Sequence, residues 1–210
     1  DFVITPNGAW HDHGQENDEP VIWVDGLDLH MINFFESGFM EHHNDKSQTI
    51  TKKEEESVAR YGSGLVPMTG ASPFGQTSPI FNYRYDKSRA ALMDIVGQGA
   101  PDAHIGNALR YANPLDGGWA MPTIATWLTQ LPKGFETKPY RSTDGRTLIV
   151  VEGEITAQID GKTFSMAESD IGVIPSWAWS SLRASKDAIF FTFSDRSAQE
   201  KLAIWREERR

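Results

Sequence analysis

Two histidines one residue apart, near the start of the sequence, have the spacing of a metal-binding pair. His11 and His13 follow the stretch DFVITPNGAW. On an extended backbone, residues i and i+2 point to the same face, so both imidazoles can reach one ion. The sequence contains no cysteine, so any metal ligand must be a histidine or a carboxylate. The pair therefore indicates a metal site whose other ligands have to be found.

Asp25 is a third candidate for this chemistry. It ends an apolar run that begins at Val21 and is predicted to be a strand over residues 21–25, where it shares a face with Val21 and Trp23. A carboxylate there could orient an imidazole or hold a water near a metal. Alternatively, Asp25 and the glycine after it form a simple turn, or Asp25 caps backbone amides.

Other polar residues fit solvated loops better than ligand sets. Glu16 and Asp18 lie in the run GQENDE, which has the composition of a solvated loop. His42 and His43 lie in the polar, charged stretch 40–64, where no partner stands at ligand spacing. We predict that this stretch is a solvated linker or surface segment with one short helix.

Composition excludes several functional classes. The 210 residues are 39% hydrophobic, which is enough for a sizeable core. The formal charge of -9 argues against binding to nucleic acid or to an acidic membrane surface, since both need a concentrated basic face. The absence of cysteine and of any long apolar run or signal peptide predicts a cytoplasmic protein. Because the sequence starts without methionine and in a predicted strand, we expect it to be truncated at its N-terminus.

The predicted elements are mostly short strands. Residues 2–5 have the pattern of a strand and are followed by a Pro-Asn-Gly turn. A helix is predicted over 86–96, with Asp86 as N-cap and Gly97 as its end. From residue 107, strands recur every 8 to 12 residues between turn signals, which predicts an antiparallel sandwich or barrel. A capping box from Ser197 to Glu200 predicts a final helix that extends to Trp205.

The first strand has a second copy 169 residues later. DFVITPNGAWHDH aligns without a gap to DIGVIPSWAWSSL, and the apolar run 21–24 then falls on residues 190–193. This ungapped extension favours a duplicated β unit over chance. The copies differ at the candidate chemical positions: His11 becomes Ser180, His13 becomes Leu182 and Asp25 becomes Ser194.

These stretches resemble the two motifs of the cupin fold. Pro6, Gly8 and His11 fit the second motif, Pro-x-Gly-x-x-His, so the resemblance makes His11 the last ligand of a metal-binding barrel. The later copy also fits the cupin frame, but none of its four ligand positions holds a metal-binding residue. Those positions are Tyr140, Ser142, Arg146 and Ser180, framed by Gly134, Gly153 and Pro175. The second barrel is therefore expected to be a metal-free scaffold.

The combination of stretches is similar to the gentisate 1,2-dioxygenase family of bicupin ring-cleaving enzymes. The similar stretches are WHDHG, DEPVIWVDGLD, RYANPLDGGWAMPTIATW, LPKGFETKPYRSTD, VIPSWAW, FSDR and QEKLAIWREER. The resemblance implies an all-β bicupin. Residues 1–35 would be the end of the metal-binding barrel, 36–100 a linker with a connecting helix, and 101–210 the metal-free barrel with a C-terminal helix.

The resemblance also implies a chemistry. Three imidazoles would hold Fe(II), with His11 as the third and the others expected before Asp1, together with the substrate-binding arginines. His13 would hydrogen-bond the substrate or its oxygen adduct, although a histidine satisfied by a backbone carbonyl is the alternative. The substrate would be a small aromatic carboxylic acid, which reacts with dioxygen in a homotetramer. Gentisate is favoured, giving maleylpyruvate; salicylate, 1-hydroxy-2-naphthoate and a non-catalytic cupin binding module remain alternatives.

Overall fold

The computed structural model describes residues 1–15, 18–69 and 75–210 and is mostly β-structure. The strands are β1 (Phe2–Val3), β2 (Asn82–Tyr83), β3 (Asn107–Arg110), β4 (Ala125–Leu131), β5 (Tyr140–Ser142), β6 (Arg146–Glu152), β7 (Glu154–Ile159), β8 (Lys162–Ala167), β9 (Ile171–Ile174), β10 (Ser180–Ala184), β11 (Ala188–Ser194) and β12 (Glu207–Arg209). The helices are α1 (Leu29–Phe34), α2 (Glu56–Tyr61), α3 (Tyr85–Ile95) and α4 (Arg196–Lys201). Among the described residues, no helix is both long and apolar enough to cross a bilayer.

Two antiparallel five-stranded sheets form the C-terminal barrel. Their strand orders are β12-β5-β10-β7-β8 and β3-β4-β11-β6-β9. The barrel core lies between them, with Val150 and Phe190 from one sheet packing against Ile155 and Leu182 from the other. This architecture confirms the predicted all-β class and the complete C-terminal cupin barrel.

The central strand β11 is buried on both faces. Phe190 faces the barrel core, whereas the next residue, Phe191, faces a second apolar cluster outside the barrel. In that cluster the Phe2 ring of β1 lies 5.5 Å from the Phe191 ring and 5.0 Å from the Tyr111 ring. Ile4 is almost completely buried beside them. The N-terminal strand is thus held against the outside of the C-terminal barrel.

Helix α3 contacts both the N-terminal strand region and the barrel. Its Leu92 is fully buried in the outer cluster. Its Arg89 forms two hydrogen bonds with the carboxylate of Glu152 on β6, and the Tyr85 hydroxyl donates to the same carboxylate at 2.6 Å. Asp1 accepts hydrogen bonds from the Tyr85 backbone N–H and from the Asn82 amide. The chain start, the helix and the barrel therefore form one connected unit.

The predicted strand over residues 21–25 is wrong. The segment is not a strand, and its large side chains are exposed, with Ile22 91% accessible. A strand needs a neighbouring edge for its N–H and C=O groups, and the described residues offer none here. The apolar run over residues 21–24 has the composition of a buried strand, but an apolar run cannot supply a partner strand. The short helix α1 follows and was not predicted.

The predicted start of helix α3 needs correction. Helix α3 begins at Tyr85 with Arg84 at the N-cap position; Asp86 lies in the first turn and accepts a hydrogen bond from Arg84. The helix ends before Gly97, as predicted, and this glycine has a φ of +85°. The Asp-Lys pattern is typical of a first turn as well as of a cap, which explains the shift.

The last helix is shorter than predicted. Helix α4 ends at Lys201, and Trp205 lies beyond it, donating its indole N–H to Asp144. Ser197 does not cap the helix, because its hydroxyl donates to the carbonyls of Met121 and Pro122 in the loop before β4. A buried serine satisfied by tertiary contacts thus had the sequence pattern of a capping box.

The structure supports the duplicated β unit at its turn. The Ala9 N–H donates to the Pro6 carbonyl at 3.2 Å, and the Ala178 N–H donates to the Pro175 carbonyl at the same distance. The residue inside each turn has a positive φ: +71° at Gly8 and +63° at its counterpart Trp177. Outside the turn the two copies differ. Strand β1 has two residues and its counterpart β9 has four, and Ser180 begins β10 whereas residues 11–15 form no strand.

Substitutions at two glycines can measure the cost of backbone strain separately from the cost of steric overlap. Gly153 and Gly161 have φ near +78° and +79°, but a Cβ on Gly153 would lie 2.5 Å from the Asp187 carbonyl oxygen, whereas one on Gly161 would meet nothing. We expect Gly161→Ala to cost about 1 kcal/mol of unfolding free energy from strain alone. Gly153→Ala should cost about 3 kcal/mol or more, because overpacking adds to strain.

Urea unfolding of both variants measures this difference. Gly145→Ala is the matched control, because its backbone has no positive φ and a Cβ there meets open space. Equal losses in the two test variants would show that the backbone near Asp187 relaxes freely.

Candidate functional site

The structure brings His11 and His13 together. Their ring centroids lie 5.5 Å apart, and both side chains are exposed. The His13 ring also meets the Trp23 ring edge-on at 5.3 Å, and His11 Nδ1 lies 3.4 Å from the Ala9 carbonyl oxygen. The i, i+2 spacing therefore places two imidazoles on one side of the segment, as predicted.

Asp25 lies farther along the same segment, with an exposed side chain. Its neighbour Gly26 packs so closely on the barrel that a Cβ there would lie 3.2 Å from the Phe193 ring. Three residues after Asp25, the Asp28 carboxylate accepts a hydrogen bond from the Thr123 hydroxyl at 2.7 Å. The barrel surface therefore fixes the backbone around Asp25, although the described contacts join Asp25 to neither His11 nor His13.

The described residues fit part of a metal site. No cluster of three or more metal-ligating side chains occurs within residues 1–15, 18–69 and 75–210. Glu16, one of the weaker candidates, lies outside these ranges, and Asp18 is exposed in the loop. Neutral imidazoles suit iron, and a protein site for iron requires about three ligands. His11 and His13 can thus supply one or two donors, and further donors are needed to complete a site.

The stretch around residues 43–48 is exposed, as predicted for a linker or surface segment, and it contacts the segment that carries His11 and His13. The His43 ring meets the Trp10 ring edge-on at 5.2 Å. The Gln48 backbone N–H donates to the Asp12 carboxylate at 2.7 Å. The sequence carried no signal for this contact, because it joins residues 36 positions apart through one backbone N–H. The predicted short helix does occur within the stretch, as α2.

The four replaced ligand positions of the C-terminal barrel lie together. An Arg146 Nη donates to the Ser180 hydroxyl at 3.0 Å, and that hydroxyl donates to the Tyr140 carbonyl at 3.2 Å. The Arg146 guanidinium carbon lies 4.8 Å from the centre of the Tyr140 ring. Ser142 is buried next to Tyr140 on the same short strand. The cupin frame thus predicted residues that lie close together in the fold.

The electrostatics of this interior oppose metal binding. Burial lowers the pKa of Arg146, and the nearby Asp144 partly offsets the effect. An arginine nevertheless keeps its charge in proteins. Burial, followed by the charge of Glu207, raises the pKa of Tyr140 to about 12, so its hydroxyl stays protonated and donates to Glu207 at 2.9 Å. A fixed cation and neutral hydroxyls give a divalent ion no adequate ligand set.

The raised pKa of Tyr140 has a testable effect on stability at high pH. The unfolded phenol ionises near pH 10, whereas the folded one ionises near pH 12. The fold therefore favours the protonated form, and its contribution is intact below pH 10 and is lost between pH 10 and 12. We expect Tyr140 to account for about 1 kcal/mol of the stability lost between pH 9 and 11.

Urea midpoints of the wild type and Tyr140→Phe at pH 9, 10 and 11 measure this loss. The variant should lose less stability over the interval, because it lacks the ionising phenol. Parallel losses in both proteins would assign the alkaline instability to other groups.

Comparison with known proteins finds relatives that match the whole chain. A gentisate 1,2-dioxygenase from Aquipseudomonas alcaligenes is 46% identical over 209 residues, covering the whole chain and 60% of the relative. A gentisate 1,2-dioxygenase from a Streptomyces species is 33% identical, again over the whole chain and 60% of the relative. The chain spans about three fifths of the length of these curated relatives. No family model matches it.

A solved structure shares the fold. The salicylate 1,2-dioxygenase G106A mutant from Pseudoaminobacter salicylatoxidans superposes with a TM-score of 0.82 and 30% sequence identity, covering 92% of this chain and 56% of that one. The shared barrel and the sequence match along the whole chain lead to one conclusion. The chain resembles the gentisate 1,2-dioxygenase family of bicupin proteins along its whole length.

Proposed function

We propose that the chain works in an Fe(II)-dependent dioxygenase that opens the ring of gentisate with dioxygen to give maleylpyruvate. The observation that carries the proposal is the paired turn. The chain has one Pro-x-x-Ala turn that leads to His11 and His13 and an equivalent turn that leads to Ser180 and Leu182. The candidate metal-binding and proton-transfer histidines are present in the first copy and absent from the second. The similarity to two gentisate 1,2-dioxygenases supports the reaction class.

The histidine-bearing copy would take part in the iron site. His11 would hold the iron through one ring nitrogen, and the remaining imidazoles would come from outside residues 1–210. When bound, Fe(II) supplies open positions at which an aromatic acid and dioxygen can react. Because the His11 side chain is exposed and its neighbouring turn is fixed by a backbone hydrogen bond, the ring is presented from a defined backbone.

His13 would act on the substrate. Its ring lies next to His11 and is supported at its side by the edge-on contact with Trp23. An imidazole near neutral pH can hold or release a proton at either ring nitrogen, which suits a hydroxylated substrate. Asp25 would orient an imidazole or a water in the same site. The anchoring of Gly26 and Asp28 on the barrel would limit the movement of Asp25.

The three parts of the chain would then have separate roles. Residues 1–35 would form the end of the metal-binding barrel, 36–100 the connection, and 101–210 the metal-free scaffold. The contact of Phe2 with Phe191 supports the scaffold role. It ties the start of the chain, which leads to residues 10–13 (the histidine segment), to the C-terminal barrel. We further propose a cytoplasmic homotetramer, on the basis of the cysteine-free composition and the family resemblance.

Single substitutions of the two histidines in the intact protein test these roles. His11→Ala should remove iron and activity together, because too few imidazoles would remain to hold the ion. His13→Ala should retain iron while slowing turnover by roughly two to four orders of magnitude, the usual effect of losing a positioned acid-base group. Iron content by metal analysis and turnover by oxygen uptake report the two effects separately.

His42→Ala is the matched control, because His42 is an exposed histidine in the loop and should leave both quantities unchanged. Equal loss of iron in His11→Ala and His13→Ala would assign both residues as ligands and contradict the division of roles.

The substrate is tested by oxygen uptake with Fe(II) and three acids: gentisate, salicylate and 1-hydroxy-2-naphthoate. We expect the highest kcat/KM with gentisate, since the relative with 46% identity is named for it. A preference for salicylate would align the chain with its structural neighbour instead. Uptake with none of the three would favour a cupin binding module.

A further inference from the structure

We propose that residues 43–48 brace the back of the histidine segment, and that Asp12 is the positioning residue through which this brace acts. The brace itself depends only on contacts within the chain. Its effect on iron and turnover rests on the proposed function of His11 and His13.

Alternation of side chains sets up the geometry. Along residues 10–13, His11 and His13 lie on one side, with ring centroids 5.5 Å apart. On an extended backbone, Trp10 and Asp12 point to the opposite side. The contacts agree with this division, because Trp10 and Asp12 meet the brace whereas His13 meets Trp23.

Two contacts, one at each end of the brace, hold this opposite side. At its start, the His43 ring lies edge-on against Trp10 at 5.2 Å. At its end, the Gln48 backbone N–H donates to the Asp12 carboxylate at 2.7 Å, a charge-assisted bond of the stronger kind. The Asp45 N–H donates to His43 Nδ1 at 3.1 Å, which fixes the His43 ring within the brace.

The brace adds to anchors on either side of this segment. Before it, Ile4 and Pro6 are buried and the Ile4 N–H donates to the Phe81 carbonyl, and after it come the Gly26 contact and the Asp28 hydrogen bond. Rotation of the backbone at residue 12 would turn both imidazoles away from a common point. Holding the Asp12 carboxylate in place opposes that rotation without touching either imidazole.

The brace can be observed directly by hydrogen exchange at the Gln48 amide. Loss of a charge-assisted partner should accelerate exchange in Asp12→Ala by about tenfold. Asp12→Asn keeps an oxygen that can accept the bond and should restore most of the protection. Unchanged exchange in Asp12→Ala would overturn the brace, whatever the function of the histidines.

The functional effect is tested in the iron-loaded, intact protein with two substitutions at one position. Gln48→Pro removes the donating N–H, and Gln48→Ala keeps it. We expect Gln48→Pro and Asp12→Ala each to lower kcat and iron affinity by about tenfold, the range seen when a group that orients a ligand is lost. Gln48→Ala and Asp12→Asn should stay near the wild type. KM for gentisate should change little, because neither group contacts substrate.

The double variant Asp12→Ala with Gln48→Pro completes the test. If the two residues act through one bond, the double variant should be no worse than either single variant. Additive losses would show that the two positions act independently and would overturn the proposal. If His11→Ala retains iron while the exchange data show the brace, then the proposed function fails and the brace stands as a structural feature.

Discussion

The burial of β11 on both of its faces is the constraint on which the rest of the structure depends. One face completes the core of the C-terminal barrel through Phe190, and the other presents Phe191 to the cluster that receives β1. An apolar strand exposed on one face would leave a large patch in water. Covering it with Phe2, Ile4 and α3 buries that patch and fixes the start of the histidine segment. The scaffold and the candidate site are thus joined by hydrophobic packing.

The duplicated turn shows how one backbone can carry two chemistries. Both copies form the same hydrogen bond between the proline carbonyl and the alanine N–H, and both need a positive φ. Glycine meets that need at Gly8 without strain, whereas Trp177 adopts it with a large side chain. The Trp177 ring is held against the Arg141 guanidinium at 4.3 Å. Tertiary contact thus supports a conformation in one copy that glycine provides in the other.

The sequence predicted the features that depend on the pattern of neighbouring residues or on the fixed spacing of a motif. Strand recurrence predicted the barrel, and the motif spacing predicted that Tyr140, Arg146 and Ser180 would lie together. The sequence failed where a partner distant in the chain decides the outcome. Residues 21–24 form an apolar run like a buried strand but have no described edge to pair with. Ser197 has a cap-like pattern, but its hydroxyl bonds to the loop before β4. The Gln48 contact could not be predicted from the sequence, because every residue except proline has a backbone N–H that can donate.

Arg146 places a fixed positive charge in the buried interior of the C-terminal barrel. A barrel whose core depends on a bound ion is stable only while the ion is present. A guanidinium is a covalently attached cation, so it cannot dissociate, and its hydrogen bond to Ser180 and contact with Tyr140 satisfy part of its requirement. The cost is a buried charge, which the nearby Asp144 partly offsets. The interior of the C-terminal barrel therefore keeps its positive charge without a bound ion, and the barrel can support the start of the chain through the contact of Phe2 with Phe191.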